Sequence, residues 1–230
     1  MNKRLSCIAS HIRDGIGMID VGTDHAYIPV EMLKRGYPGR VFASDIHEGP
    51  LQAARRTAEE AGVSENLTLQ LCDGLDACDP EAVDTIVIAG VGGDTICGIL
   101  DRAEWCMSED YLLVLQPMTK AEVLRYWLVH NEFAIISEEL VKDSGVIYQV
   151  FTARFGGCTK LRDAELFTGS YELIRNQALT GEFLRGIKER NDKTIQGLMH
   201  DTTDRNAGKL QIYRDIEEGL KEMLQYENSK

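Results

Sequence analysis

Three carboxylates stand at or just past what read as successive β-strands, two of them beside a glycine. The first lies in Met18-Ile19-Asp20-Val21-Gly22-Thr23-Asp24-His25, the second closes Val41-Phe42-Ala43-Ser44-Asp45, and the third follows Leu67 to Cys72 as Asp73-Gly74. In a doubly wound sheet a glycine turn after the first strand lets a ligand approach the backbone, and an acid about 20 residues on accepts hydrogen bonds from ribose hydroxyls. Gly22 and Asp45 have that spacing. An adenosine can then lie across the strand ends, its ribose on Asp45 beside Ile46, its exocyclic amine donating to Asp73, with Gly74 leaving room for the base. The first loop holds one glycine rather than the GxGxxG that wraps a pyrophosphate, so a ligand without phosphate fits better. Each acid alone is equally explained as a helix cap or turn former; the set of them is what points to a nucleoside.

The acids of the first position, Asp20 and Asp24, flank the first loop, and an acidic pocket suits a nucleoside that carries positive charge, such as the sulfonium of S-adenosylmethionine. The fourth strand ends in Ile88-Ala89-Gly90-Val91-Gly92-Gly93, whose glycines let the main chain pass close to a donor methyl and an acceptor. A tight strand-to-helix turn with Asp94 as the cap explains the same residues. The fifth strand ends in Leu115-Gln116-Pro117-Met118, where Gln116 either presents an amide to a base edge or belongs to a simple turn.

The elements that must position these groups alternate. Apolar runs at 18–22, 41–45, 67–72, 84–89 and 111–115 read as strands, and helical periodicity at about 26–35, 51–61, 94–102 and 120–130 lies between them. A short helix over 1–13 precedes this series and two extended runs, 133–141 and 146–154, follow it. Asp84-Thr85-Ile86-Val87-Ile88-Ala89 is apolar on both faces, as a central parallel strand is. The pattern predicts an α/β, Rossmann-like, doubly wound sheet over residues 1–160, with ligands beyond the carboxyl ends of its strands. From about 164 the pattern is helix alone. Leu184, Ile187, Ile195 and Leu198, then Leu210, Tyr213, Ile216, Leu220 and Met223 or Leu224, make two amphipathic helices joined by a polar turn over 201–208, a helical, coiled-coil-like hairpin domain at 161–230.

With 230 residues, 43% hydrophobic and 27% charged, the chain is long enough for one ordinary domain and a smaller appendage. The six cysteines are scattered with no CxxC pair and no grouping at zinc-ligand spacing, so no metal is expected. No secretory apolar run follows Met1-Asn2-Lys3-Arg4, and no stretch reaches membrane-span length; the expectation is a cytoplasmic protein with no membrane partner. A net charge of −12 argues against a general nucleic-acid coat protein. The sequence sets no oligomeric state.

Six stretches in order, DVGTDHAYIP, SDIHEGPLQAA, CDGLD, IAGVGGDTICGIL, LQPMTKAEVLRYWL and GVIYQVFTAR, together resemble the bacterial tRNA (adenine 22-N1)-methyltransferases, the TrmK family. The resemblance is close over residues 1–155 and extends in character to the helical tail. It departs from the family's usual pattern at Val91, Met118 and Gln149. The resemblance implies a class I S-adenosylmethionine-dependent fold and methyl transfer to N1 of an adenine in the D-arm region of tRNA. It implies that Asp20, Gly22, Asp24, Asp45, Asp73, Gly74, Ala89 and Gly90 hold the cofactor, and that His25 and Tyr27 lie beside the acceptor pocket. For the chemistry, the main chain at Gly90 and Val91 with Asp24 or Asp94 is expected to stabilise the cation appearing on the base, and His25 and Tyr27 to orient or stack it. Arg185, Lys188, Arg190 and Lys193, with Lys3, Arg4, Arg13, Arg55 and Arg56, are candidate tRNA phosphate contacts. A methyltransferase of small molecules and a non-catalytic nucleotide-binding interaction module are the alternatives.

Overall fold

A computed structural model of the chain describes residues 1–200 and 204–229. Its contacts divide into two units, one of Met1–Ser137 with Val141–Thr159 and one of Glu138–Leu140 with Lys160–Lys230.

The first unit begins with α1 (Lys3–Ser10), capped by the Asn2 side chain on the Leu5 N–H. Then come β1 (Gly17–Val21), α2 (Tyr27–Lys34), β2 (Arg40–Asp45), α3 (Glu48–Glu60), β3 (Leu67–Leu71), β4 (Thr85–Gly92), α4 (Gly93–Arg102), β5 (Leu112–Thr119) and α5 (Ala121–His130). The strands β6 (Phe133–Asp143) and β7 (Val146–Phe155) complete a seven-stranded sheet of order β3-β2-β1-β4-β5-β7-β6. Pairing from β3 to β5 is parallel, whereas β7 runs antiparallel to β5 with Leu113 opposite Ala153, so the sheet is mixed rather than parallel throughout. Only two turn residues separate β6 from β7, too few for a crossover, and a hairpin must reverse direction.

β1 is buried along its whole length and pairs on both sides, Asp20 lying opposite Ala43 of β2 and Val87 of β4. Ile8, Met18, Ile28, Val41, Val87, Leu112 and Val114 share one core cluster; Ala26, Val30, Ala43, Ala54 and Ala58 form another, where small residues let helices sit close to the strands. Arg125 on α5 is fully buried with its guanidinium 5.0 Å from the centroid of the Phe151 ring, a cation held against an aromatic face.

β4 and β5 run further than the apolar runs at 84–89 and 111–115 predict. Their ladder continues through Val91 opposite Pro117 and Gly92 opposite Thr119, with register shifts on either side of Val91. Gly90 and Gly92, which read as a loop, are therefore the irregular end of a strand. Gly93 lies so close to the Lys120 carbonyl that a Cβ there would overlap it, which is how α4 starts against the end of β5 without a gap.

The second unit holds α6 (Asp163–Thr168), α7 (Tyr171–Ile174), α8 (Thr180–Met199) and α9 (Asp204–Glu227). The two long helices match the two apolar series, and the two short ones precede them. Leu184, Ile187, Ile216, Leu220 and Met223 are buried, while Ile195 and Leu198 are half-buried. Buried Asn191 donates to the Tyr213 carbonyl at 3.0 Å, a polar tie between α8 and α9. Residues 201–203 of the expected polar turn lie outside the described residues.

Candidate active site

Parallel pairing brings the carboxyl ends of β3, β2, β1, β4 and β5 to one edge, and hydrogen bonds stitch the first three ends together. The N–H groups of Gly22 and Thr23 both donate to the Ser44 carbonyl, at 2.9 and 3.0 Å. The Ser44 hydroxyl, fully buried, donates to the Gly74 carbonyl at 3.0 Å, and the Cys72 N–H donates to the Asp45 carbonyl at 3.1 Å. These bonds fix the relative positions of the loops that carry Asp20, Asp45 and Asp73 without using their carboxylates on one another.

Asp20 is 5% exposed and accepts a 2.6 Å hydrogen bond from the Thr23 hydroxyl. Burial drives its carboxyl up to about 7, against the opposing pull of the Thr23 bond and of the Arg4 charge. Gly22 faces open space: a Cβ there would meet no atom within 4 Å, so a ligand can lie against the backbone. Asp45, half-buried, turns one oxygen to the His47 N–H at 2.9 Å, and Ile46 beside it is exposed. Asp73 pairs with Arg102 at 2.8 Å, and the same guanidinium reaches Asp76 at 3.5 Å. Gly74 has φ +62°, and a Cβ on it would approach Ile99 Cγ2 to 2.9 Å, so this bend admits only glycine without movement.

Asp24 and Ala26 both adopt left-handed backbone angles, φ 51° and 53°, and the strained turn throws its polar side chains outward. The His25 ring stacks on Tyr27 with centroids 5.2 Å apart and planes 11° from parallel, and its Nε2 lies 3.7 Å from the Asp24 carboxylate. With Tyr27 exposed and His25 half-buried, the pair offers a flat aromatic face next to an acid.

Ala89 is half-buried, Gly90 exposed and Val91 half-buried on the extended end of β4. Asp94 is not the cap of α4: Gly92 holds that place, and Asp94 sits in the first turn, where Lys120 grips it at 2.6 Å. That bond, with the lysine charge, holds the Asp94 carboxyl below its usual range. Gln116 departs furthest from expectation. It is fully buried; its Oε1 accepts from Arg4 and its Nε2 donates to the Pro117 carbonyl at 2.8 Å, so the carboxamide supports the rim and both its ends are engaged.

Two site residues escaped the sequence reading. In the sequence Arg4 shows only its charge, and Arg102 carries no signal, since its partners follow β3 while it closes α4. In the second unit, Arg185 is exposed on α8, and Lys188 is bonded to Asp192 one turn on, at 2.7 and 3.0 Å.

The edge thus combines open backbone at Gly22, acids suited to hydroxyls, an amine and positive charge, and the cation Arg4. That donor set fits a charged adenosine. Residues 1–151 match the family described as a methyltransferase domain. Over 243 aligned residues the chain is 32% identical to a tRNA (adenine(22)-N(1))-methyltransferase of Bacillus subtilis, covering 98% of each. The crystal structure of the B. subtilis m1A22 tRNA methyltransferase TrmK superposes with a TM-score of 0.86 at 27% identity, covering 97% of this chain and 98% of that one. A candidate tRNA (m1A22) methyltransferase of Streptococcus pneumoniae, in complex with S-adenosyl-L-methionine, superposes with a TM-score of 0.82 at 28% identity, covering 96% and 98%.

Proposed function

Because the chain belongs to the tRNA (adenine(22)-N(1))-methyltransferase family, we propose that it transfers the methyl group of S-adenosyl-L-methionine to N1 of adenine 22 in tRNA. The observation that carries this reading is that the likeness spans 98% of both chains, helical tail included, rather than the methyltransferase domain alone. By this reading residues 1–160 form the methyltransferase domain and 161–230 a helical domain, at work in the cytoplasm. No helix among the described residues is long and apolar enough to cross a membrane.

Adenine N1 has an in-plane lone pair, so it attacks carbon without first losing a proton. The N1–C bond forms as the C–S bond breaks, its electron pair stays on sulfur, and the positive charge passes to the base. When bound, the donor supplies an electrophilic methyl on a cationic sulfur. The chain's work is alignment and charge stabilisation. Asp45 accepts from the ribose hydroxyls beside Ile46, and Asp73, braced by Arg102, accepts from the adenine amine of the donor over Gly74. Asp20 and Asp24 face the donor's positive charge, and Gly22, Ala89 and Gly90 let it lie against the backbone. Val91 and Tyr27, with His25, hold the acceptor base, and Asp24 meets the cation that appears on it. Asp94, tied to Lys120, acts by fixing the rim at the end of β4 rather than by taking a proton. Gln116 serves the acceptor side by holding Pro117 in place. Arg185 and Lys188 contact tRNA phosphates. Reaching an adenine in the folded D-arm requires it to leave its stack, at a cost of roughly a few kcal/mol that contacts to the tRNA body must offset.

The test is incubation of the protein with labelled donor and total tRNA from a strain lacking the modification, followed by digestion and identification of the labelled nucleoside. 1-Methyladenosine at position 22 is expected. Label in a different nucleoside, or in none, refutes the assignment. In parallel, Asp73→Ala should weaken donor binding about tenfold by calorimetry with the fold retained, as expected for a lost charge-assisted hydrogen bond.

A further inference from the structure

The seven-stranded sheet ends on β6 at one side and on β3 at the other. The two edge strands are built differently. β6 carries Glu138, Glu139, Lys142 and Asp143, charges of the kind that keep an edge from pairing with another chain. β3 is Leu67-Thr68-Leu69-Gln70-Leu71, with no charge, no proline and no bulge against β2. Among the described residues nothing pairs with its outer side. Leu71 is 60% exposed and Thr68 is exposed as well.

One bond sets the direction of the backbone groups. The Cys72 N–H donates to the Asp45 carbonyl at 3.1 Å, and successive residues of a strand turn their N–H and C=O groups to alternate sides. Gln70 and Thr68 therefore face β2, while Leu69 and Leu71 turn both groups to the open side. Leu67 turns its carbonyl there, its N–H being taken by the Ser64 carbonyl.

The strand reads almost alike in both directions. Set antiparallel to a second copy about a two-fold axis at Leu69, each Leu67 lies opposite Leu71 of the other copy, Leu69 opposite Leu69, and Thr68 opposite Gln70. Opposite residues share a face, so leucine meets leucine where Leu67 and Leu69 already pack against the cluster of Ala54 and Ala58, and hydroxyl meets carboxamide on the other face. The outward groups match too: Leu69 exchanges both bonds with its counterpart, and each Leu71 N–H meets a Leu67 carbonyl. Past the paired residues Glu65 of one copy comes opposite Asp73 of the other, whose charge Arg102 already balances at 2.8 Å. A slip of one residue would set leucine against glutamine, so the pattern selects this register. We propose that β3 is a self-association edge, through which two copies of the chain join antiparallel at residues 67–71 into one continuous sheet.

A contact of one short strand is smaller than a standard interface, which places the association at micromolar concentrations or weaker. Sedimentation velocity of the full-length protein from about 5 to about 500 μM should show a shift from monomer toward a species of twice the chain mass. Leu71→Lys sets an ammonium opposite each Leu67 and counts twice by symmetry; it should weaken the association about tenfold and leave thermal melting of dilute protein unchanged. Residue-resolved amide exchange needs no substitution. The Leu69 and Leu71 N–H groups should exchange several-fold more slowly in concentrated than in dilute protein, while that of Gln70, turned to β2, should not change. A monomer throughout the range overturns the proposal. So does a dimer whose Leu69 and Leu71 amides exchange as in dilute protein, or one that Leu71→Lys leaves intact, since another surface then joins the copies. Slowing that follows added tRNA rather than protein concentration overturns it in favour of an RNA contact.

Discussion

Replacing Asp20 by Asn removes a buried carboxyl at the centre of the sheet while keeping its shape and its capacity to accept from Thr23. Burial raises the folded-state value from 3.8 to about 7. The folded chain therefore holds this proton more tightly than the unfolded chain does. The associated stability is fully present below the unfolded value and is lost as pH rises through about 7. Between pH 8 and pH 5 the wild type should gain about 3 kcal/mol from this group, and Asn, which does not titrate, should gain nothing from it. Other carboxyls titrate in both proteins and cancel in the comparison. Urea denaturation of both proteins at each pH reads the difference directly. The wild type should be favoured over the variant by about 3 kcal/mol more at pH 5 than at pH 8. An equal difference at the two pH values would refute the reasoning, since it would mean that Asp20 stays ionised throughout. The ionised form is also the one that attracts a cationic donor, so donor affinity should rise from pH 6 to pH 8 more steeply in the wild type than in Asp20→Asn.

Gly74→Ala should destabilise the protein by about 1–3 kcal/mol in thermal or urea melts, because it puts a Cβ at positive φ against Ile99. Its effect on donor affinity should exceed that of an exposed glycine such as Gly49, where a Cβ would meet nothing within 4 Å. Reversing charge at Arg185 and Lys188 to Glu should raise the KM for tRNA several-fold, flatten its dependence on salt and leave donor affinity unchanged, as steady-state kinetics at two ionic strengths would read.

The sequence announces what is local. Strand and helix alternate in it because burial on both faces of β1 and β4 demands continuous apolar runs, and the acids at their ends stand out against those runs. Asp45 and Asp73 were legible because each follows a strand at a spacing the sheet enforces. Arg4 was not, because its partner Gln116 is 112 residues away and only packing of α1 against the sheet brings them together. The buried state of Gln116 was hidden for the same reason: a glutamine before a proline reads as a turn until the Arg4 bond and the Pro117 carbonyl are seen to engage both ends. The glycines at 90, 92 and 93 suggested a loop by composition, and only the register with β5 makes the first two the end of a strand, the third opening α4. The reversal at β7 followed from chain length between two extended runs, a clue that was present but competes with the parallel pattern before it.

The prolonged pairing of β4 with β5 has a mechanical consequence. A lip made of laddered strands, clamped at its tip by Asp94 and Lys120, cannot fold over an incoming nucleotide as a free loop would. This rim is accordingly shaped before an acceptor arrives, and accommodation at this lip falls to whatever approaches it.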